Sequence, residues 1–219
     1  METSTDITSL GIKEALIGEG ADNKVVLSTE PGICFRIPKV WDEEKVKTEK
    51  QIHDKLDQAG FQNIIPLYEP DYENKRVRMS DLSNGGENIV YSSPDRISIG
   101  REIATSNSTV DSFSKLASFR IIPNIESFFD QLRQTVRLAD KENIFIEPTN
   151  MMFVIDPDGN IQTIIGDYDG IEFNRERHQN QHSDPYVLYL KFVVLKIFPQ
   201  LEKQADKFIT ELYPLSQSK

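Results

Sequence analysis

The sequence predicts an α+β fold of two lobes: a small antiparallel sheet with one helix, then a mainly helical second lobe. Three observations predict it. Short alternating strands broken by glycine and proline turns fill residues 15–40. An amphipathic stretch free of glycine and proline follows, and strand signals return after it. Beyond residue 125 helical periodicity dominates, interrupted by the hairpin signal Asp158-Gly159. The chain is read as one domain, residues 1–219, with 12–82 as the first lobe, 83–124 as a connection and 125–219 as the second lobe.

Composition removes several function classes. Acidic residues number 35 against 25 basic ones, a formal net charge of −10. That balance argues against sequence-independent nucleic-acid binding, which needs a basic surface, and against an anionic membrane as partner. Cys34 is the sole cysteine, so no internal disulfide forms; with three scattered histidines it leaves no thiolate or imidazole zinc site. The most apolar run, Tyr186 to Phe198, contains Lys191 and Lys196 and is too short to span a bilayer. The first residues show neither the basic start nor the apolar stretch of a secretory signal. The expectation is a soluble cytoplasmic monomer.

The elements follow in order. Ala15-Leu16-Ile17 is a strand entering the turn Gly18-Glu19-Gly20; Lys24 to Leu27 is the next strand, and Glu30-Pro31-Gly32 turns the chain into a third. In that third strand Ile33, Phe35, Ile37 and Lys39 alternate onto one face. A helix from about Asp42 to Ala59 opens on Asp42-Glu43-Glu44, which suits the positive helix start, and carries the stripe Val46, Glu49, Ile52/His53, Leu56. Strands are predicted at Ile64 to Tyr68 and Val77 to Leu82. Ser83 to Ser118 is polar and reads as a connection with weak helices. A strong amphipathic helix spans Ile125 to about Asp140, Met151–Ile155 and Ile161–Ile165 form a hairpin, and Tyr186 to Phe198 and Leu201 to Leu212 close the fold.

Three constellations carry chemistry. Lys39 on an apolar strand face and Glu49 on an apolar helix stripe are expensive unless they pair; the alternative is that both reach out to the rim. Gly18-Glu19-Gly20 lets backbone amides approach a phosphate closely, or is only a turn. Asn150 and Asp167 stand at the outer ends of the hairpin strands, so an amide oxygen and a carboxylate converge where Mg²⁺ would take oxygen ligands; alternatively they cap a strand and form a turn. His53, His178 and His182 read as surface or boundary residues, and Cys34 and Trp41 as packing. Arg175-Glu176-Arg177 reads as a solvated loop.

This order of residues resembles the protein-kinase-like superfamily from about Leu16 to the Tyr186–Phe198 helix. Ile17 to Val26 looks like its glycine-rich loop, with Asn23 at the third glycine, and Phe35-Arg36-Ile37-Pro38-Lys39 like the strand of the phosphate-binding lysine. Glu49 matches the helix glutamate that pairs with it. Val77 to Leu82 is similar to the hinge, Glu147-Pro148-Thr149-Asn150 to the end of the catalytic loop, and Asp167-Tyr168-Asp169 to Asp-Phe-Gly. The resemblance implies ATP and Mg²⁺ as cofactors. It implies Lys39, Glu49, Asn150 and Asp167 as the catalytic set, with Asn150 and Asp167 on the metal. Gly18, Gly20, Ile37, Lys39, Met79, Ser80 and Leu82 would line the nucleotide.

The sequence departs from the family at one decisive place. Phe145 stands five residues before Asn150, where the family has the aspartate that orients the accepting hydroxyl. The segment after Asp169 is also short. Truncation of this kind is similar to the minimal kinases delivered by bacterial type III secretion, of the HopBF and OspG types. It implies a Ser/Thr kinase acting on a host protein, such as a heat-shock chaperone or a ubiquitin-conjugating enzyme. The other readings are a pseudokinase that binds nucleotide or protein, and an atypical transferase on the same fold.

Overall fold

Alternation in the first segment builds a five-stranded antiparallel sheet, β1 (Leu16–Glu19), β2 (Asn23–Leu27), β3 (Ile33–Pro38), β4 (Tyr68–Asp71) and β5 (Arg76–Ser80), ordered β1-β2-β3-β5-β4. The structure is a computed structural model and describes residues 15–19, 22–92, 122–174, 184–195 and 198–212. β4 begins four residues later than the sequence predicts. Pro66 offers no N–H to a ladder, and Ile64 makes only an isolated parallel bridge to Ile165. The strand that forms carries Pro70 on the sheet edge, where a missing donor is tolerated.

Helix α1 (Glu43–Gln58) starts where its cap dictates: the Asp42 carboxylate accepts the Lys45 N–H at 3.0 Å, and Glu43 and Glu44 fill the first turn. It buries Val46, Glu49, His53 and Leu56, the stripe read from the sequence. Gly60, at φ +89°, takes the chain out of the helix in a conformation that an L side chain rarely adopts.

Helix α2 (Ile125–Lys141) buries Phe128, Phe129, Leu132, Thr135, Val136 and Ala139. The hairpin also forms as predicted: β8 (Met151–Ile155) and β9 (Ile161–Ile165) pair from Met151↔Ile165 to Ile155↔Ile161. At its tip the Asp156 carboxylate accepts the Asn160 N–H at 2.9 Å, and Gly159 turns at φ +85°. Two pairings escape the sequence reading. β6 (Ile89–Ser92) adds to β8, giving a three-stranded sheet β6-β8-β9 inside the segment assigned to weak helices. β7 (Ile144–Phe145) pairs with β10 (Glu172–Phe173) as a two-rung ribbon. Of the predicted weak helices only a 3₁₀ turn, Asn84–Gly86, is described, and residues 93–118 lie outside the described set.

The last lobe closes through α3 (Asp184–Tyr189), which continues as a π-helical turn, Leu190–Val194, and through α4 (Glu202–Leu212). Their apolar side chains join one continuous core with Phe129, Phe153 and Ile165. The architecture is α+β, an antiparallel sheet with one helix followed by a second part of helices and short sheets. Among the described residues no helix is long and apolar enough to cross a membrane.

Candidate functional site

The strand β3 places a different cation inward from the one its pattern suggests. Lys39 lies past the end of β3, in the bend after Pro38. Its N–H bonds Asp22 O at 2.8 Å and its ammonium pairs with Glu19 Oε1 at 3.2 Å. That side chain is 40% exposed. Arg36, on the same face as the buried Cys34, turns to α1 instead and pairs with Glu49, their side chains 13% and 5% exposed. The expected Lys39–Glu49 pair is therefore replaced by Arg36–Glu49. The physical reason is the choice of face: Cys34 and Arg36 lie opposite the buried Met79 and Val77 on the face that packs on α1, so the alternating set Ile33, Phe35, Ile37 and Lys39 belongs to the other face.

A third side chain completes the corner. Tyr68 Oη donates to Glu49 Oε2 and accepts from Arg36 Nη2, which also donates to that carboxylate oxygen. The Arg36 guanidinium lies 5.5 Å from the Tyr68 ring centroid. Burial works against the Arg36 charge, but the Tyr68 oxygen and the Glu49 carboxylate outweigh it and hold the guanidinium above its ordinary pKa. Arg36 Nε is buried without a hydrogen-bond partner.

Across from this corner the hairpin does bring Asn150 and Asp167 together. Asn150 O accepts the N–H groups of Gly166 at 2.9 Å and Asp167 at 3.3 Å. The Asn150 side chain is buried and used by the loops: Oδ1 accepts Glu147 N–H at 2.7 Å, and Nδ2 donates to Asp169 O. Asn150 thus clasps the two loops, and one lone pair of Oδ1 remains for a further ligand. Asp167 is reached by solvent, and its Oδ1 accepts Asp169 N–H at 3.1 Å. Protein around the carboxyl desolvates it enough to raise its pKa; the Asp169 N–H opposes this, while the charges of Glu49 and Arg36 reach it with opposite signs. From the first turn of α1, Lys45 Nζ reaches Asp169 Oδ2 at 2.9 Å.

Tyr168, between the two aspartates, is buried under α1. Its ring meets Tyr68 edge-on at 5.1 Å and His53 at 5.5 Å. His53 is no boundary residue: it is 6% exposed, its Nε2 lies 2.9 Å from Ile65 O, and its ring stacks on Tyr68 at 5.6 Å. Sequence reasoning missed Arg36 and Tyr68 as site residues. The signal for Arg36 was available in its i, i+2 relation to Cys34, but the lysine drew the assignment.

The remaining residues are placed as follows. Gly18 pairs with Val25 beside a bulge in β1, and Gly20 lies outside the described residues. Ile37 is half-buried opposite Lys24. Met79 is buried beside Cys34, whose thiol burial, with Asp81 nearby, pushes up to about 12. Of the other residues expected to line the nucleotide, Ser80 Oγ accepts Leu67 N–H at 3.1 Å and Leu82 O accepts from Asn88 at 3.0 Å, while between them Asp81 N–H bonds Gly32 O at 2.8 Å. Phe145 sits in the β7 ribbon opposite Glu172, and Glu147, two residues on, accepts the Thr149 hydroxyl at 3.3 Å. Among the described residues no group of three or more His, Cys, Asp or Glu side chains could hold a metal ion. Arg175-Glu176-Arg177, His178 and His182 lie outside the described residues.

No protein-family model and no curated protein matches the chain. Among solved structures, the choline kinase LicA from Streptococcus pneumoniae is similar at a TM-score of 0.38 and 17% identity, covering 91% of this chain and 74% of that one.

Proposed function

We propose that the protein is an ATP- and Mg²⁺-dependent phosphotransferase acting on a serine or threonine hydroxyl of another protein. The observation that carries this reading is the buried Arg36–Glu49 pair, which Tyr68 bonds and links through an edge-on ring contact at 5.1 Å to Tyr168, the neighbour of Asp167. A nucleotide fits the donors present. Arg36 Nε is a buried donor without a partner, and a phosphate oxygen is the acceptor a guanidinium fork suits. Arg36, fixed by Glu49, would grip the phosphates, with Gly18 of β1 beside them. Asp167 and the spare lone pair of Asn150 would hold Mg²⁺, whose remaining positions water and phosphate take, so a cluster of three protein ligands is not needed. When bound, the ion supplies charge neutralisation at the transferring phosphoryl group.

Transfer forms a bond from the acceptor oxygen to the γ-phosphorus as the bond to the β-phosphate oxygen breaks, and the hydroxyl proton must leave. Phe145 cannot take it. The carboxylate this loop does offer is Glu147, half-buried and tied through its N–H to Asn150.

Phe145 also favours a second reading, a nucleotide-binding module without transfer, since an aromatic side chain locked in the β7–β10 ribbon does no acid–base chemistry. One experiment separates the two. Purified protein is incubated with Mg²⁺, a host-cell lysate and ATP labelled at either the γ or the α position. Protein labelled from the γ position alone supports the transferase. Label from the α position points to nucleotidyl transfer. Absence of label, with ATP raising the melting temperature, supports the binding module.

A further inference from the structure

Tyr68 is one of the largest fully buried side chains of the protein, and it carries a hydroxyl into a place that an apolar residue of the same volume would fill. A buried hydroxyl is costly unless bonded. Here it closes a triangle with Glu49 Oε2 and Arg36 Nη2, so that each corner bonds the other two. Without it, Arg36 and Glu49 share a single contact between Nη2 and Oε2, about which a guanidinium can swing. With it, the plane of the fork is set by two acceptors. The ring of the same residue lies edge-on to Tyr168 at 5.1 Å and is stacked on His53 at 5.6 Å and 23°. Tyr68 therefore touches the cation, its carboxylate partner and the neighbour of Asp167 at once.

We propose that Tyr68 is a positioning residue for the nucleotide phosphates, its hydroxyl fixing the orientation of the Arg36 guanidinium toward them. The inference rests on the phosphotransferase reading and deepens it by naming what orients its cation. It contacts no reacting atom itself. A structural role for the ring is shared by phenylalanine; the positioning role belongs to the hydroxyl alone. The chemistry also predicts where the effect shows: on ligands that carry phosphate, not on the adenine end.

The test measures binding to the full chain by calorimetry, with ATP plus Mg²⁺ and, separately, adenosine. Tyr68→Phe is expected to weaken ATP by about 5- to 10-fold, the net worth of one ordinary hydrogen bond, and to leave adenosine unchanged. In an Arg36→Gln background the same change is expected to do nothing further, because the group it orients is gone. An equal loss for ATP and adenosine, no loss for ATP, or the same loss with and without Arg36 would overturn the proposal. If Tyr68→Phe melts too early to measure, 3-fluorotyrosine at position 68 keeps the hydroxyl but makes it a stronger donor. ATP affinity must then change while adenosine affinity does not, and an unchanged ATP affinity rejects the idea. Failure of the underlying reading is distinguishable: wild-type protein then binds neither ligand, or binds ATP equally well with Asp167→Ala and without Mg²⁺.

Discussion

Arg36 and Glu49 meet between β3 and α1, three residues short of the lysine to which the strand pattern points. The pair is enclosed, whereas Lys39 and Glu19 are each two-fifths or more exposed. That contrast makes the first prediction.

Arg36→Gln leaves a buried carboxylate without its cation and is expected to cost about 3–5 kcal/mol, a drop in Tm of roughly 10 °C for a chain of this size. Lys39→Met breaks an exposed pair and is expected to cost about 0–1 kcal/mol. Thermal unfolding of both variants checks the ranking. Equal losses would return the site to Lys39.

Asp167 gives a pH signature. Its folded pKa lies above the ordinary carboxyl value, through desolvation first and the Glu49 charge second. The unfolded chain therefore holds its proton less tightly, and the ionised group works against folding at neutral pH. As pH falls through the raised folded value toward the ordinary one, that penalty disappears. Asp167→Asn is expected to be at least as stable as wild type at pH 7, with an advantage that shrinks on acidification, while Mg²⁺-dependent ATP binding is lost. Melting curves across pH 3–8, taken as the order of an ordinary carboxyl range, test the sign.

Gly166, directly before Asp167, has no room for a side chain. A Cβ there would lie 2.1 Å from Met152 Cε and 2.8 Å from its Sδ. The obstruction is the flexible end of a half-buried methionine, which can swing aside, so Gly166→Ala is expected to cost about 1 kcal/mol, the low end of overpacking. Adding Met152→Ala should recover part of the loss, leaving the double variant more stable than the sum of the singles. Strict additivity would show that the strain lies elsewhere.

His53 links α1 to both tyrosines. His53→Ala removes a partner from Ile65 O and two ring contacts, and an expected loss of about 2–4 kcal/mol follows from a buried unpaired carbonyl plus the aromatic pairs. His53→Phe keeps the rings and should retain the smaller, aromatic part. Denaturant midpoints compare the two.

Much of the fold was legible because its strongest signals are local. The Asp42 cap and the Val46-Glu49-His53-Leu56 stripe define α1, and the Asp-Gly tip fixes the hairpin register and with it the meeting of Asn150 and Asp167. What escaped depends on distant partners. Ile89-Val90-Tyr91 is a short apolar run in a polar stretch and becomes a strand only because β8 offers an edge. The β7–β10 ribbon has two rungs, too few for periodicity to register. In the site, the carboxylate was found by its misplaced charge. Its partner was mistaken because the alternation pattern was read from the apolar Ile33-Phe35-Ile37 set, whereas the face turned to α1 is that of Cys34 and Arg36, opposite Met79 and Val77 on β5, a strand distant in sequence.

One small contact has a mechanical consequence. The Ile165 N–H reaches Asn63 O at 2.7 Å, and Ile64 bridges to Ile165, so the segment between α1 and β4 is sewn to the very strand that leads into Asp167. The two parts of the fold thus share a backbone tie beside the acidic loop, and any motion between them must either turn about that tie or break it. The deuterium uptake of that single amide is a built-in gauge: it stays slow while the tie holds and quickens only when the tie itself gives way.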